Sequence, residues 1–282
     1  MKKILIIGIK GMAGHVIYNY LNKNTDYKVF GIARNIAEND QEISLDVSET
    51  IKLKEIIIHH NFDVVVNCIG ILNKDAENNP SKAIWFNSYF PHFLEEITKE
   101  TQTRVIHIST DCVFNGKKGN YAENDFKDGE GMYAQSKALG ELTNDKDLTI
   151  RTSIIGPELN ENGIGLFHWF MNKSGEIQGY SKVYWSGVTT LELAKAIQDV
   201  IENPLQGLVH LTNGVPISKF DLISIFKQIW NKKDTVVVSY EGKQVDKSLK
   251  KSNRLQYTVK GYKEMLIEQS EWMKEFSSLY NY

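Results

Sequence analysis

Short, unbroken β-branched runs alternate with helix-length amphipathic stretches from the first residues of this chain onward. Ile4–Ile7, Lys28–Ala33, Val64–Cys68, Arg104–Ser109, Leu148–Ile154 and Leu208–Leu211 read as strands. Runs without polar alternation fit strands covered on both faces, and the helices between them call for right-handed crossovers. Helical patterns lie around Val16–Leu21, Glu49–His60, Pro80–Thr101, Tyr133–Leu142 and Thr190–Glu202. The predicted architecture is α/β, a Rossmann-type doubly wound parallel sheet.

The remainder reads differently. Residues 155–186 carry Gly156, Pro157, Gly163, Gly165, Gly175 and Gly179 among aromatics. Residues 213–282 mix two helices, Lys219–Trp230 and Lys263–Leu279, with one short strand, Val236–Ser239. The expectation is a nucleotide-binding domain over 1–154 and 187–212, and a small C-terminal substrate-binding lobe over 155–186 and 213–282. Within that lobe, Lys243–Arg254 reads as a charged, solvated loop.

Composition narrows the partners. Lys plus Arg is 33 and Asp plus Glu is 35 among 282 residues, a net charge of -2. That balance builds neither a basic stripe for nucleic acid nor a polybasic membrane anchor. The two cysteines, Cys68 and Cys112, show no CxxC or metal-ligand spacing, which points to a reducing compartment and to no metal. The apolar run at Ile4–Ile7 falls short of the roughly 7–15 residues of a secretory core. No stretch reaches the ~20 apolar residues of a membrane span. A cytoplasmic protein is expected, with a homodimer left open.

Gly8-Ile9-Lys10-Gly11-Met12-Ala13-Gly14 follows the first strand and opens the first helix. The first glycine permits a tight turn, the second lets backbone approach a pyrophosphate, and the third lets helix and strand pack closely. Phosphates then meet the free N–H groups and positive end of the helix. Gly8, Lys10, Gly11, Met12 and Gly14 are therefore cofactor candidates. The second strand ends at Ala33-Arg34, without the acid that would hold a ribose 2′-hydroxyl. Arg34 and Lys10 suit a 2′-phosphate instead, which favours NADPH over NADH. A solvated loop would also use Arg34. Asp46 and Val47 are candidates for the adenine side, and Cys68 and Gly70 for the next strand end.

Tyr133 and Lys137 stand at i and i+4, so they share a helix face. An ammonium there is expected to lower the phenol from its usual pKa of about 10, suiting it as a proton donor. The helix follows a strand ending Ser109-Thr110-Asp111, whose hydroxyls face the crevice where open α/β sheets bind ligands.

These features resemble the extended short-chain dehydrogenase/reductase family and, within it, the dTDP-4-dehydrorhamnose reductase group. The resemblance is carried by GIKGMAG, NCIG (67–70), HISTDCVFNGKKGNYAEND (107–125), YAQSKALGE (133–141), RTSIIGP (151–157) and VDKSLKKSNR (245–254). It implies NADPH-dependent reduction of a 4-keto group on a nucleotide-linked 6-deoxy-L-hexulose, for surface polysaccharide precursors. By position it implies that Thr110 holds the substrate carbonyl, Tyr133 donates the proton, and Lys137 tunes Tyr133 and holds the nicotinamide ribose. Asn87 matches a helix asparagine that supports the cofactor site, and Asp111, Cys112, Arg151, Phe167 and Trp169 are substrate-side candidates. Two departures stand near the sugar pocket. Cys112 replaces a usual Tyr, and Ser186-Gly187-Val188-Thr189 lacks a usual Pro.

Related activities compete with this reading. Dehydratases of the same fold place Glu where Cys112 stands, so the acid for water elimination is missing. GDP-fucose synthases combine 3,5-epimerisation with 4-reduction and use a cysteine just after the same strand; they also need a second group on the opposite face of the sugar, and His168 is the only histidine in the expected substrate lobe, without a match to the synthase histidine. Packing is the plainer role for Cys112, so reduction without epimerisation is expected. A UDP-2-acetamido-2,6-dideoxy-hexulose is another substrate left open. A non-catalytic NADP-binding regulatory subunit would not require Thr110, Tyr133 and Lys137 together.

Overall fold

A computed structural model describes residues 1–282. Its strands are β1 (Lys3–Ile7), β2 (Lys28–Ala33), β3 (Glu42–Ser44), β4 (Val64–Asn67), β5 (Arg104–Thr110), β6 (Leu148–Thr152), β7 (Ile154–Ile155), β8 (Gly175–Tyr180), β9 (Val183–Trp185), β10 (Val188–Thr189), β11 (Gly207–His210), β12 (Ile217–Ser218), β13 (Thr235–Tyr240) and β14 (Val245–Asp246). Seven of them form one sheet in the order β3-β2-β1-β4-β5-β6-β11, with every pairing parallel. This is the doubly wound order expected of a Rossmann-type sheet.

The helices are α1 (Met12–Asn24), α2 (Thr50–His60), α3 (Asn73–Asn78), α4 (Pro80–Ala83), α5 (Phe90–Thr98), α6 (Gly131–Leu139), α7 (Leu166–Met171), α8 (Thr190–Glu202), α9 (Lys219–Ile229) and α10 (Tyr262–Glu275). Why the strands carry no polar alternation is visible in the packing. Along β1, Ile4 and Ile6 join one apolar cluster with Val16 of α1 and Ile197 of α8. Leu5 and Ile7 point the other way, into a second cluster with Leu53 of α2 and Phe90 of α5. Both faces are covered, so both sets of alternating positions must be apolar. No helix is long and apolar enough to cross a membrane.

Three expectations need correction. The helix over Pro80–Thr101 is interrupted by a π-helical turn at Ile84–Tyr89. Pro91 is the cause available in the sequence: it has no N–H for the carbonyl of Asn87 four residues back, and its ring crowds that oxygen. The stretch Leu148–Ile154 is two strands, because the Ser153 carbonyl leaves the ladder and accepts the Val188 N–H at 2.8 Å. The stretch Lys243–Arg254 is not a solvated loop. Val245 and Asp246 pair with β9, and Leu249 is buried against Phe114 and Tyr121.

Arg151 also departs from expectation. It is 1% exposed, its Nη2 lies 2.7 Å from Glu141 Oε2, and its Nε donates to Glu141 Oε1 at 2.9 Å. Nη1 donates to His210 Nε2 at 2.8 Å, and the guanidinium lies 4.9 Å from the Phe114 ring centroid. With its donors engaged inside the core, Arg151 braces β6 against the segment after α6 and does not reach a substrate. Arg151→Ala would strand the buried Glu141 carboxylate. We expect a loss of about 3–5 kcal/mol in denaturant-unfolding free energy. The double variant Arg151→Met/Glu141→Gln should recover most of it.

Candidate active site

The C-terminal ends of β1, β2 and β4 open onto a cavity of about 690 Å³. Gly8, Lys10, Gly11, Arg34, Asp46, Val47, Cys68 and Gly70 line it. The glycine turn is built as its sequence requires. Gly8 has φ +96°, and a Cβ on Gly14 would stand 2.2 Å from the Gly8 carbonyl oxygen, so neither position admits a side chain. Gly11 is the N-cap of helix α1, which has no capping side chain and no acid in its first turn, so its N–H groups and positive end face the cavity that Gly11 lines. These features fit a dinucleotide: a backbone cradle for pyrophosphate, with Lys10 and Arg34 on the rim.

Not every cofactor candidate reaches that cavity. Gly14 serves the α1–β1 packing, and the Met12 side chain reaches toward Gly165 instead. Asn87 is fully buried in the π-turn. Its Oδ1 accepts the Ile71 N–H at 2.8 Å, and its Nδ2 donates to the Ile71 carbonyl at 2.9 Å and to Ser136 Oγ at 3.0 Å. It clamps the turn after β4 to α6, behind the cavity lining and not in it. The cavity adds residues that the sequence reading missed: Ile69 and Ile71 beside Gly70, Phe86, and the Lys82–Asp75 pair at 2.6 Å. The isoleucines were within reach, since they flank Gly70; the ion pair joins two helices and left no local signal. Arg34 lies 3.5 Å from Asp46, whose carboxyl is held below its usual value first by the Ser48 N–H and also by Arg34.

Helix α6 carries the second half of the site. Ser88 Oγ donates to the Ser136 carbonyl at 2.7 Å, and the Tyr133 N–H donates to Glu77 Oε1 at 3.2 Å, so α6 is fixed against the π-turn and α3. Tyr133 is half-buried, next to the end of β5. Burial raises its phenol above the ordinary tyrosine value; negative charge at Cys112 and Asp111 acts the same way, and the Thr110 hydroxyl opposes it. Lys137 does not supply the expected lowering. Its Nζ donates to the Ile108 carbonyl at 2.7 Å and lies 3.2 Å from His107 Nε2. Burial lowers the Lys137 ammonium to about 8, while Glu141 and Cys68 favour the charge. Cys68 thus joins the two halves, since it lines the cavity and feels the Lys137 charge.

Thr110 Oγ1 accepts the Cys112 N–H at 3.1 Å and donates to Asp111 Oδ1 at 3.2 Å. Burial raises the Asp111 carboxyl, and Lys247 and Lys219 oppose that rise. Neither lysine was singled out from sequence, although Lys247 lies in the VDKSLKKSNR motif. Burial and Asp111 push the Cys112 thiol up to about 11. Phe167 is buried between Phe226, Trp230 and Tyr282, where it packs as a core residue. Trp169 is 37% exposed on α7. His168 is held by Tyr282 at 2.8 Å and by the Glu161 carbonyl at 3.1 Å.

The sequence matches the RmlD substrate binding domain family over residues 1–281. The chain belongs to that family. It is 28% identical over 242 residues to dTDP-4-dehydrorhamnose reductase of Aggregatibacter actinomycetemcomitans, covering 81% of this chain and 79% of that protein. It is 26% identical over 219 residues to the spore coat polysaccharide biosynthesis protein SpsK of Bacillus subtilis, covering 76% and 74%. The structure of dTDP-4-dehydrorhamnose reductase from Bacillus anthracis in complex with NADP superposes with a TM-score of 0.79, covering 95% of this chain and 98% of that one. At 20% identity that likeness speaks for the fold.

The raised phenol can be checked directly. Burial disfavours the phenolate, so Tyr133 should ionise only at a pH above the ordinary tyrosine value of 10.0. Difference absorbance titration of the wild type against Tyr133→Phe should show no phenolate from this residue below that pH. A contribution near neutrality would show that Lys137 does reach it.

Proposed function

We propose that this chain is an NADPH-dependent oxidoreductase that reduces the 4-keto group of a nucleotide-linked 6-deoxy-L-hexulose, supplying a surface polysaccharide precursor in the cytoplasm. The observation that carries the reading is that Thr110 and Tyr133 come together at the end of β5, with Lys137 on the same helix beside Cys68, a residue that lines the cavity under the glycine turn. The names of the relatives point to the same substrate class. We place the sugar nucleotide between that edge and a lobe formed by residues 155–186 and 213–282, where Lys247 and Lys219 bear on Asp111.

Bound NADPH supplies the hydride. Thr110 donates a hydrogen bond to the substrate carbonyl oxygen and so fixes where negative charge develops. Tyr133, kept protonated by burial, donates its proton to that oxygen. Lys137 holds the nicotinamide ribose and, when charged, eases the loss of the Tyr133 proton. Cys112 is assigned to packing. That is the plainer role for a free cysteine, and it favours reduction without epimerisation.

The test is a panel of nucleotide 4-keto-6-deoxy sugars assayed by loss of NADPH absorbance. Turnover is expected with at least one of them, and none with any would reject the reading in favour of a non-catalytic NADP-binding subunit. On the active substrate, Tyr133→Phe should lower turnover by about 10²–10⁴ while leaving NADPH affinity nearly unchanged.

Cofactor choice provides a separate check. Arg34 on the cavity rim should favour the 2′-phosphate, so NADPH should bind more tightly than NADH. Arg34→Ala should weaken NADPH and leave NADH unaltered in direct binding titrations. Equal wild-type affinities would remove the argument.

A further inference from the structure

A continuous hydrogen-bond chain runs through the sheet beneath the site. The Ile69 N–H donates to Asn67 Oδ1 at 3.1 Å. Asn67 Nδ2 lies 3.2 Å from His107 Nδ1, His107 Nε2 lies 3.2 Å from Lys137 Nζ, and Nζ donates to the Ile108 carbonyl at 2.7 Å. Asn67 and His107 are fully buried, so their polar atoms need partners inside the protein.

The direction of each link follows from what can only donate. A backbone amide has no lone pair to offer, so the Asn67 face toward Ile69 must be its oxygen. The amide NH₂ therefore faces His107, and Nδ1 must accept. A neutral imidazole accepting at Nδ1 carries its proton on Nε2. That proton points at Nζ, which can accept it only as an uncharged amine. An ammonium there would set two donors against each other.

We propose that His107 is a positioning residue for Lys137, holding the neutral amine on the Ile108 carbonyl through a chain that begins at the Ile69 amide in the cofactor cavity. The role rests on the reaction proposed above, in which Lys137 works in the cleft. Charging Lys137 breaks the His107 link, unless the imidazole moves its proton to Nδ1 and Asn67 turns over, giving up Ile69. The charge on the lysine is thereby tied to the shape of the turn that lines the cavity. The other groups facing this pair are Cys68 at the end of β4, Glu141 after α6, and His92 on α5. Burial acts in the same direction as the chain, disfavouring charge on both Lys137 and His107.

Two measurements test the proposal. Heteronuclear NMR of the wild-type protein with nitrogen-labelled histidine reads the tautomer without any substrate; the His107 signal is assigned by elimination from single histidine variants. Above the Lys137 titration, His107 should be the Nε2–H tautomer with an unprotonated, hydrogen-bonded Nδ1. The Nδ1–H tautomer, or a charged imidazole, would overturn the proposal. In His107→Gln a carbonyl oxygen can accept from the ammonium, so the bond that favoured the neutral amine is replaced by one that favours the charge. The alkaline limb of kcat/KM should then move up by about one unit, the scale on which a hydrogen bond shifts a titration. A limb that stays in place would equally overturn it. A protein inactive on every nucleotide sugar, yet showing the Nε2–H tautomer, would reject the proposed substrate and support the positioning role.

Discussion

Parallel pairing of β1, β4 and β5 in a single register is the constraint from which the cleft follows. Ile7 lies opposite Asn67, and Asn67 lies opposite His107. The glycine turn, the turn at 67–71 and the Ser109-Thr110 strand end therefore emerge along one edge, and Asn67 and His107 are side by side. A slip of one residue in β4 would send Val64 and Val66 to the face now occupied by Val65, and would carry Asn67 away from His107. Because valine meets apolar cover on either face, what penalises the slip is the loss of the Asn67 bonds to His107 and the Ile69 N–H. The buried polar groups thus fix a register that the valines alone leave open.

The sheet was legible because a strand buried on both faces writes itself into consecutive positions, as Ile4–Ile7 and Val64–Val66 do. The glycine turn was legible for a related reason, since backbone geometry leaves no other residue for Gly8 and Gly14. Long-range features were less so. Arg151 has the same local sequence whether it meets a substrate or Glu141, and only the fold brings Glu141 within 2.7 Å. Residues 245–249 are too polar to look like an edge, yet they pair with β9 and plug the space beside Phe114. The π-turn lies between these cases, because Pro91 announced a disturbed helix without saying where the widened turn would go. Its effect matters to the site. A Cβ on Gly140 would stand 1.9 Å from the Asn87 carbonyl oxygen, so the end of α6 packs directly on the carbonyl that Pro91 leaves free.

The same burial that seats these groups also decides their charge. Tyr133, Cys112 and Cys68 are raised, and Lys137 and His107 are lowered, each with burial as the first cause and each toward its neutral form. Exposed charges gather at the rim, where Lys10 and Arg34 line the outer part of the cavity beside the Asp75–Lys82 pair, while the one buried ion pair, Glu141–Arg151, is closed on itself. Such a division suits a reduction with a polyanionic cofactor. Rim cations attract phosphates at little desolvation cost, while burial leaves the proton on Tyr133 until an oxyanion forms next to it. Low polarity at the floor also magnifies whatever charge does appear there. An ammonium on Lys137 would then act on Tyr133 far more strongly than the same ammonium in water, so the groups that decide when Lys137 is charged have as much influence on the chemistry as those that touch the sugar.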